Sequence, residues 1–357
     1  MKLLITGATG FLGRHVVQTA LAHGHDVRAM VRPVGDAGVL QPQAMQLDRG
    51  GLEIVRRDLR HPHGLAEVVR GVDAVLHLAA AKTGSFYAQM AGTVVATENL
   101  LAAMRDANVD RLVLVSSFSV YDYLAITGRT LDEASPLEAD PEQRDDYCRT
   151  KLLQERLARE AQAEQDVKLT VLRPGVIYAE PDDLWTDRLG VRMGDTWLAT
   201  GSHARLPLVH VRNCAEAIVL AGERDAAVGQ TLNLVDDDPP TQRQYRRALR
   251  ARAPQRPRIV PINWTLMRLG VRAVDVVNRR LLAGQARLPA ILRRRALHAR
   301  CRPLRYPNQR ARDVLDWSPH LHWRQVVPRD ASMTPASPAN DPDSVAPTPE
   351  SPCASRT

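Results

Sequence analysis

The stretch Lys2–Gly13, KLLITGATGFLG, constrains the chain more than any other. Leu3, Leu4 and Ile5 form a short apolar run with strand chemistry, and Thr6 ends it. Gly7, Gly10 and Gly13 then fall at three-residue spacing, followed by Leu12, Val16, Val17, Ala20 and Leu21 at helical period. Strand, glycine turn and helix in that order is the setting in which such glycines carry meaning. Glycine lets backbone approach a pyrophosphate closely, and a helix N-terminus offers it free N–H groups and a positive dipole end. The alternative is an ordinary βα turn that uses glycine only for close packing.

Downstream the pattern repeats. His25–Arg32, Leu52–Val55, Ala74–Leu78, Arg111–Val115 and Leu169–Leu172 read as strands. Helices are expected over Leu65–Arg70, Gly92–Ala107 and from Tyr147 to about Gln165. This cadence predicts an α/β fold with a doubly wound parallel sheet. Right-handed crossovers then bring the C-terminal ends of the strands to one edge. From Val176 the alternation breaks, although Pro207–Val211 and Thr231–Val235 still read as strands around a helix over Cys214–Ala221. The expected organisation is a nucleotide-binding domain over 1–175, with 207–235 returning to it. Residues 176–206 and 236–330 are expected to form a smaller substrate lobe. Ala331–Thr357, dense in Pro, Ser and Asp, is expected to be a disordered tail.

Charge narrows the function classes. The net charge of +8 comes almost entirely from arginine, without a helix-turn-helix, zinc-finger or RNA-binding signature, so no nucleic-acid partner is expected. Cys148, Cys214, Cys301 and Cys353 lack paired or metal-ligand spacing and are expected to be reduced thiols, with no metal site. The chain opens on its first strand and holds no apolar run of membrane-spanning length, which points to a cytoplasmic protein. Trp264–Leu282 interleaves Leu266, Leu269, Val274, Val277 and Leu281 with Arg268, Arg272, Arg279 and Arg280. Such a basic amphipathic stretch either packs its stripe on its own domain or lies on an anionic membrane surface.

Tyr147 and Lys151 stand four apart at a helix start and share one face. An ammonium beside a phenol favours the phenolate, which lets the hydroxyl exchange a proton near neutral pH. By itself the pair also fits a solvated helix face. Ser117, at the exit of the fifth strand, raises its meaning, because a hydroxyl there can orient a substrate oxygen against Tyr147. Ser116 and Ser119 are neighbours that can instead cap the turn.

With these motifs in place the chain resembles the extended short-chain dehydrogenase/reductases, of the NAD-dependent epimerase/dehydratase type. The match runs from Met1 to about Trp317 and includes Thr6–Gly13, Asp58-Leu59, His77-Leu78-Ala79-Ala80, Ser116-Ser117…Val120-Tyr121 and Tyr147…Lys151. It continues through Leu172-Arg173-Pro174-Gly175, Pro207–Val211 and Asn233-Leu234-Val235. The resemblance implies a Rossmann domain binding NAD(P), with Tyr147 as acid/base, Lys151 on the nicotinamide ribose and Ser117 polarising the substrate oxygen. It further implies a cofactor site built from Gly7, Thr9, Gly10, Phe11, Leu12, Gly13, Asp58, Leu59, Leu78, Ala79, Ala80, Tyr147, Lys151 and Pro174. Asp58 is expected at the adenine amino group. Three departures stand out: Thr93-Val94-Val95-Ala96 lacks the family's first Asn and its Gly, Asp122 replaces a glycine, and Asn213 replaces an aspartate.

Arg32 lies at the end of the second strand, where an acidic residue would bind the ribose hydroxyls of NAD. An arginine suits a 2′-phosphate, so NADP is favoured over NAD; the alternatives are stacking on the adenine or facing solvent. On the substrate side Lys82, Thr83, Tyr178, His210 and Arg212 are candidates by position, with Arg205 and the Arg293–Arg295 cluster able to clamp a diphosphate. The expected reaction is hydride transfer at a carbinol carbon, with a nucleotide sugar as first substrate class. The alternative is an NADPH-dependent ketone/alcohol oxidoreductase of the 3β-hydroxysteroid or dihydroflavonol type, and after it a non-catalytic NAD(P)-binding protein. Family analogy suggests a homodimer through the helices bearing Asn99 and Tyr147.

Overall fold

A computed structural model describes residues 1–40, 51–179, 184–193, 196–200, 203–252, 258–281 and 293–327. The expected tail from Ala331 lies outside these residues, as does part of the loop after Pro33. The strands, in chain order, are β1 (Lys2–Thr6), β2 (Asp26–Val31), β3 (Leu52–Arg56), β4 (Ala74–His77), β5 (Arg111–Val115) and β6 (Lys168–Pro174). They continue as β7 (Val176–Tyr178), β8 (Gly190–Met193), β9 (Thr196–Thr200), β10 (Leu208–His210), β11 (Thr231–Leu234) and β12 (Arg258–Ile262). One seven-stranded sheet runs in the order β11-β6-β5-β4-β1-β2-β3, every pairing parallel.

The central strands read as unbroken apolar runs because helices cover both faces. Side chains alternate across the sheet, and the two cores follow that alternation. Leu3 and Ile5 enter one core with Val113, beneath the helices Phe11–Ala22 (α1) and Val211–Glu223. Leu4 enters the other with Val75, Leu112 and Leu114, beneath Ala96–Asp106 and Asp146–Glu164. Burying these faces, at about 25 cal/mol per Å² of apolar surface, is what holds the sheet between its helices.

Several elements differ from expectation. The helix expected from Gly92 is entered earlier, at Phe86–Gln89, and passes through a π segment, Met90–Val95, before Ala96–Asp106. That segment contains Thr93, where the family's Asn is missing, and ends just before Ala96, where its Gly is missing. β10 pairs with β7 in a separate two-stranded parallel sheet rather than joining the main one, whereas β11 forms an edge of the main sheet. The irregular region also holds an unanticipated three-stranded sheet, β12-β9-β8. No helix among the described residues is long and apolar enough to cross a membrane.

Candidate active site

β1 delivers the glycine turn. Gly7 has φ of +69°, and a Cβ there would meet Ala79 N at 3.0 Å, so the turn after β1 lies directly against the turn after β4. A Cβ on Gly13 would lie 2.0 Å from Gly7 O, which fixes how closely α1 packs on the loop. Gly10 is the N-cap of α1 and brings no capping side chain, leaving the first N–H groups of the helix for another acceptor. Gly10 is exposed, Thr9, Phe11 and Leu12 are half-buried, and Leu78, Ala79 and Ala80 form a half-buried wall beside them. This donor-rich cradle, open at its centre and narrow at its base, fits a dinucleotide pyrophosphate.

The ends of β2 and β3 add charge. Arg32 is exposed at the exit of β2, with no salt bridge among the described residues. Arg56 Nη1 donates to Pro33 O and Gly35 O at 3.0 and 2.9 Å, shaping the loop beside it. Asp58 is claimed by Arg60, whose Nη2 lies 2.6 Å from its Oδ2, and those hydrogen bonds hold its carboxyl down at about 2. Leu59 is buried, and its carbonyl accepts from Asn99 Nδ2 at 2.8 Å. Pro174 closes β6 and is buried.

β5 brings Ser117 to the same edge, and the Asp146–Glu164 helix presents Tyr147 from its first turn. Asp145 caps that helix by accepting from Cys148 N at 2.8 Å. The Ser117 side chain beside the Tyr147 hydroxyl favours its ionised form, but burial prevails and pushes that hydroxyl up to about 12. Lys151 is 2 % exposed; burial pulls its ammonium down to about 7, against the opposing charge of Glu155. Its Nζ donates to Val115 O at 2.9 Å and Gln154 Oε1 at 2.7 Å. The expected lowering of Tyr147 by Lys151 is therefore corrected: in this geometry the ammonium is committed elsewhere and desolvation of the phenol prevails.

Gln154, which sequence reasoning passed over, joins Lys151 to a buried polar chain. Its Nε2 donates to Thr97 Oγ1 at 2.8 Å, Thr97 Oγ1 lies 2.9 Å from His77 Nε2, and His77 Nδ1 lies 2.7 Å from Thr6 Oγ1. Burial takes His77 down to about 3, so the ring is neutral at physiological pH. The available signal was spacing, because Gln154 stands three after Lys151 on the same helix face. Behind Ser117, Arg173 makes a two-point ion pair with Glu155 at 2.9 and 2.6 Å, and Ser116 donates to the same carboxylate. Ser116 is thus a brace, distinct from Ser117.

The substrate candidates separate. Lys82, Thr83 and Arg212 are exposed near the strand ends. The charge of Arg212, with that of Arg14, adds to the burial that takes His15 in α1 down to about 4. Tyr178 and His210 are buried instead. The Tyr178 hydroxyl donates to Asp236 Oδ2 at 3.0 Å, His210 N donates to the same oxygen at 3.0 Å, and Asn213 Nδ2 donates to Oδ1 at 2.8 Å. Asn213, which stands where the family pattern has an aspartate, thus serves as a donor to Asp236. Arg205 donates to Pro239 O, and Arg295 is held by Asp122 and Glu138, so neither hangs free as a clamp. Among the described residues Cys148, Cys214 and Cys301 are buried and form no disulfide.

A parallel sheet with a glycine turn after its first strand and a Ser–Tyr–Lys group beside its fifth defines a Rossmann-type enzyme of the NAD(P)-dependent oxidoreductase, epimerase and dehydratase class. The chain belongs to the NAD-dependent epimerase/dehydratase family, the extended short-chain dehydrogenase/reductases, whose model matches residues 3–234. It is 30 % identical over 255 residues to the 4-hydroxy-2-methyl-3-oxo-4-farnesyl-3,4-dihydroquinoline-1-oxide ketoreductase of Stigmatella aurantiaca, covering 69 % of this chain and 71 % of that protein. It is 29 % identical over 292 residues to a 3 beta-hydroxysteroid dehydrogenase/Delta 5-->4-isomerase of Mycobacterium tuberculosis, covering 76 % and 73 %. The dTDP-glucose 4,6-dehydratase DesIV of Streptomyces venezuelae, solved with NAD and TYD bound, shares the fold. Its TM-score is 0.67 at 20 % identity, over 91 % of this chain and 94 % of that one.

Proposed function

We propose that the chain is an NADP-dependent ketone/alcohol oxidoreductase in which Ser117, Tyr147 and Lys151 carry the chemistry. One observation carries this reading: the Ser117 and Tyr147 side chains come together beyond the end of β5, with Lys151 one turn along the same helix as Tyr147. A dinucleotide held in the glycine cradle would supply or accept the hydride. Ser117 orients the substrate oxygen, and Tyr147 gives that oxygen a proton on reduction or takes it on oxidation. Lys151, one turn further along the helix, is assigned the ribose hydroxyls of the dinucleotide. Arg32, exposed and basic, suits the 2′-phosphate that separates NADP from NAD.

The choice of ketone over nucleotide sugar is supported by the ketoreductase and hydroxysteroid dehydrogenase relatives, each near 30 % identity over more than two thirds of the chain. Incubation with NADPH and a panel of long-chain 3-oxo acids, 3-oxosteroids and UDP-glucose tests it. Stoichiometric loss of reduced-nicotinamide absorbance with a ketone is the expected result. Inversion or dehydration of the sugar without net cofactor consumption replaces the reading with the epimerase or dehydratase one.

A further inference from the structure

A second concave site lies apart from the Ser117–Tyr147–Lys151 group. The Trp264–Leu281 helix turns Trp264, Arg268 and Arg272 onto one face at four-residue spacing. The Arg294–Cys301 helix meets that face with Arg294 and His298, again four apart. Arg302, just beyond its end, and Arg129, from the loop region after β5, complete the lining of a cavity of about 340 Å³. No carboxylate lines it among the described residues.

Five guanidinium groups around one cavity repel one another, and together with a neutral imidazole they leave donors unused. His298 is 8 % exposed, packs edge-on against Trp264 at 5.3 Å, and neither ring nitrogen has a hydrogen-bond partner. The Nε atoms of Arg268 and Arg294 are likewise buried without a partner. Burial, and after it the charges of Arg302, Arg294, Arg268 and Arg272, take His298 down to about 4. The Arg302 guanidinium is locked in place by the carbonyls of Tyr123, Leu124, Ile126 and Gly128. A rigid, positively charged hollow with unused donors matches an anion offering several acceptor oxygens, and arginine forks match phosphate geometry in particular.

We propose that this cavity is a binding site for a phosphate-bearing ligand, a phosphate monoester or diphosphate group, separate from the Ser117–Tyr147–Lys151 group. Such a group would neutralise the converging guanidinium charge and accept from His298, Arg268 and Arg294. Its source is a soluble phosphate ester or a lipid headgroup, since the same helix exposes Leu266 and Leu269 to solvent.

Calorimetric titration of the full chain with inorganic phosphate, pyrophosphate and coenzyme A tests the proposal, and sedimentation with phosphatidylglycerol or phosphatidylcholine vesicles separates the two sources. Pyrophosphate can also enter the glycine turn, so the Arg268→Ala/Arg272→Ala double variant, remote from that turn, localises the site; NADP binding checks that it is folded. Saturable binding of a soluble phosphate compound, weakened about tenfold or more in the double variant, supports the proposal and assigns a soluble ligand. Binding to phosphatidylglycerol vesicles alone, lost in the same variant, supports it and assigns a headgroup. No saturable binding in either arm, or binding that the double variant leaves unchanged, overturns it.

Discussion

Lys151 Nζ donates to Gln154 Oε1 at 2.7 Å, and through that amide the ammonium is tied to Thr97, His77 and Thr6 of β1. The chain of contacts joins the two motifs that matter most, the glycine strand and the Tyr147 helix, inside the protein where water cannot substitute for a lost partner. Gln154 is a positioning residue for Lys151, and its removal has a direct readout. The carbonyl acceptor favours the charged amine, so Gln154→Leu lowers the Lys151 titration midpoint further below about 7, by roughly one pH unit. The sequence holds four lysines, Lys2, Lys82, Lys151 and Lys168, which makes ¹³C-lysine NMR practical. A midpoint unchanged in the folded variant contradicts the assignment.

Tyr147→Phe removes the hydroxyl beside Ser117 while keeping the half-buried ring. Turnover with the true substrate is expected to fall about 10²- to 10⁴-fold with circular dichroism and cofactor affinity retained. Full turnover in this variant would remove Tyr147 from the chemistry.

Arg32→Asp tests the cofactor preference. Loss of a charged hydrogen bond to a 2′-phosphate weakens NADP binding by about tenfold to a hundredfold and leaves NAD binding equal or improved. Fluorescence titration with both reduced cofactors reads the ratio. Parallel losses for the two would show that Arg32 does not reach the 2′ position.

Gly13→Ala probes the base of the glycine turn. The added methyl would lie 2.0 Å from Gly7 O, a backbone atom with little room to move, so α1 must shift outward. A loss of about 1–3 kcal/mol in denaturant unfolding is expected, together with weaker cofactor binding. Native stability in this variant would show that the loop is looser than its contacts indicate.

Asp236 gives a pH signature. Burial raises its carboxyl from 3.8 to about 7 against the three donors that lower it. In that window the unfolded chain has released the proton and the folded one retains it, so this group makes the protein less stable as pH rises from about 4 to 7. In Asp236→Asn that contribution is gone. Denaturant midpoints measured at intervals of pH are expected to show the wild type losing stability relative to the variant across the window, whatever offset the substitution itself brings. Parallel profiles would mean that Asp236 is ionised throughout.

Local pattern carried a large share of the fold. Strand runs buried on both faces, the glycine turn and the four-residue spacing of Tyr147 and Lys151 are properties of neighbouring residues, and each lies where the sequence put it. Boundaries moved by one to three residues, except at Phe86–Val95, where a π segment interrupts the helical period. The position of Ser117 just beyond the end of β5 was legible because the apolar run Arg111–Val115 fixes where the strand stops. Tyr178 was not: its position beside a strand end suggested a substrate contact, whereas its hydroxyl is spent on Asp236, 58 residues later.

What the sequence determined alone was periodicity and punctuation: which segments are strands or helices, where glycine admits a close approach, and which side chains share a helix face. Only the tertiary structure decided which faces meet. Gln154 reaches His77 because β4 lies between β1 and β5, and His298 confronts Arg268 because two helices of the irregular region pack together. Both pairings depend on sheet order and helix docking between segments far apart in the chain, and no local spacing encodes them.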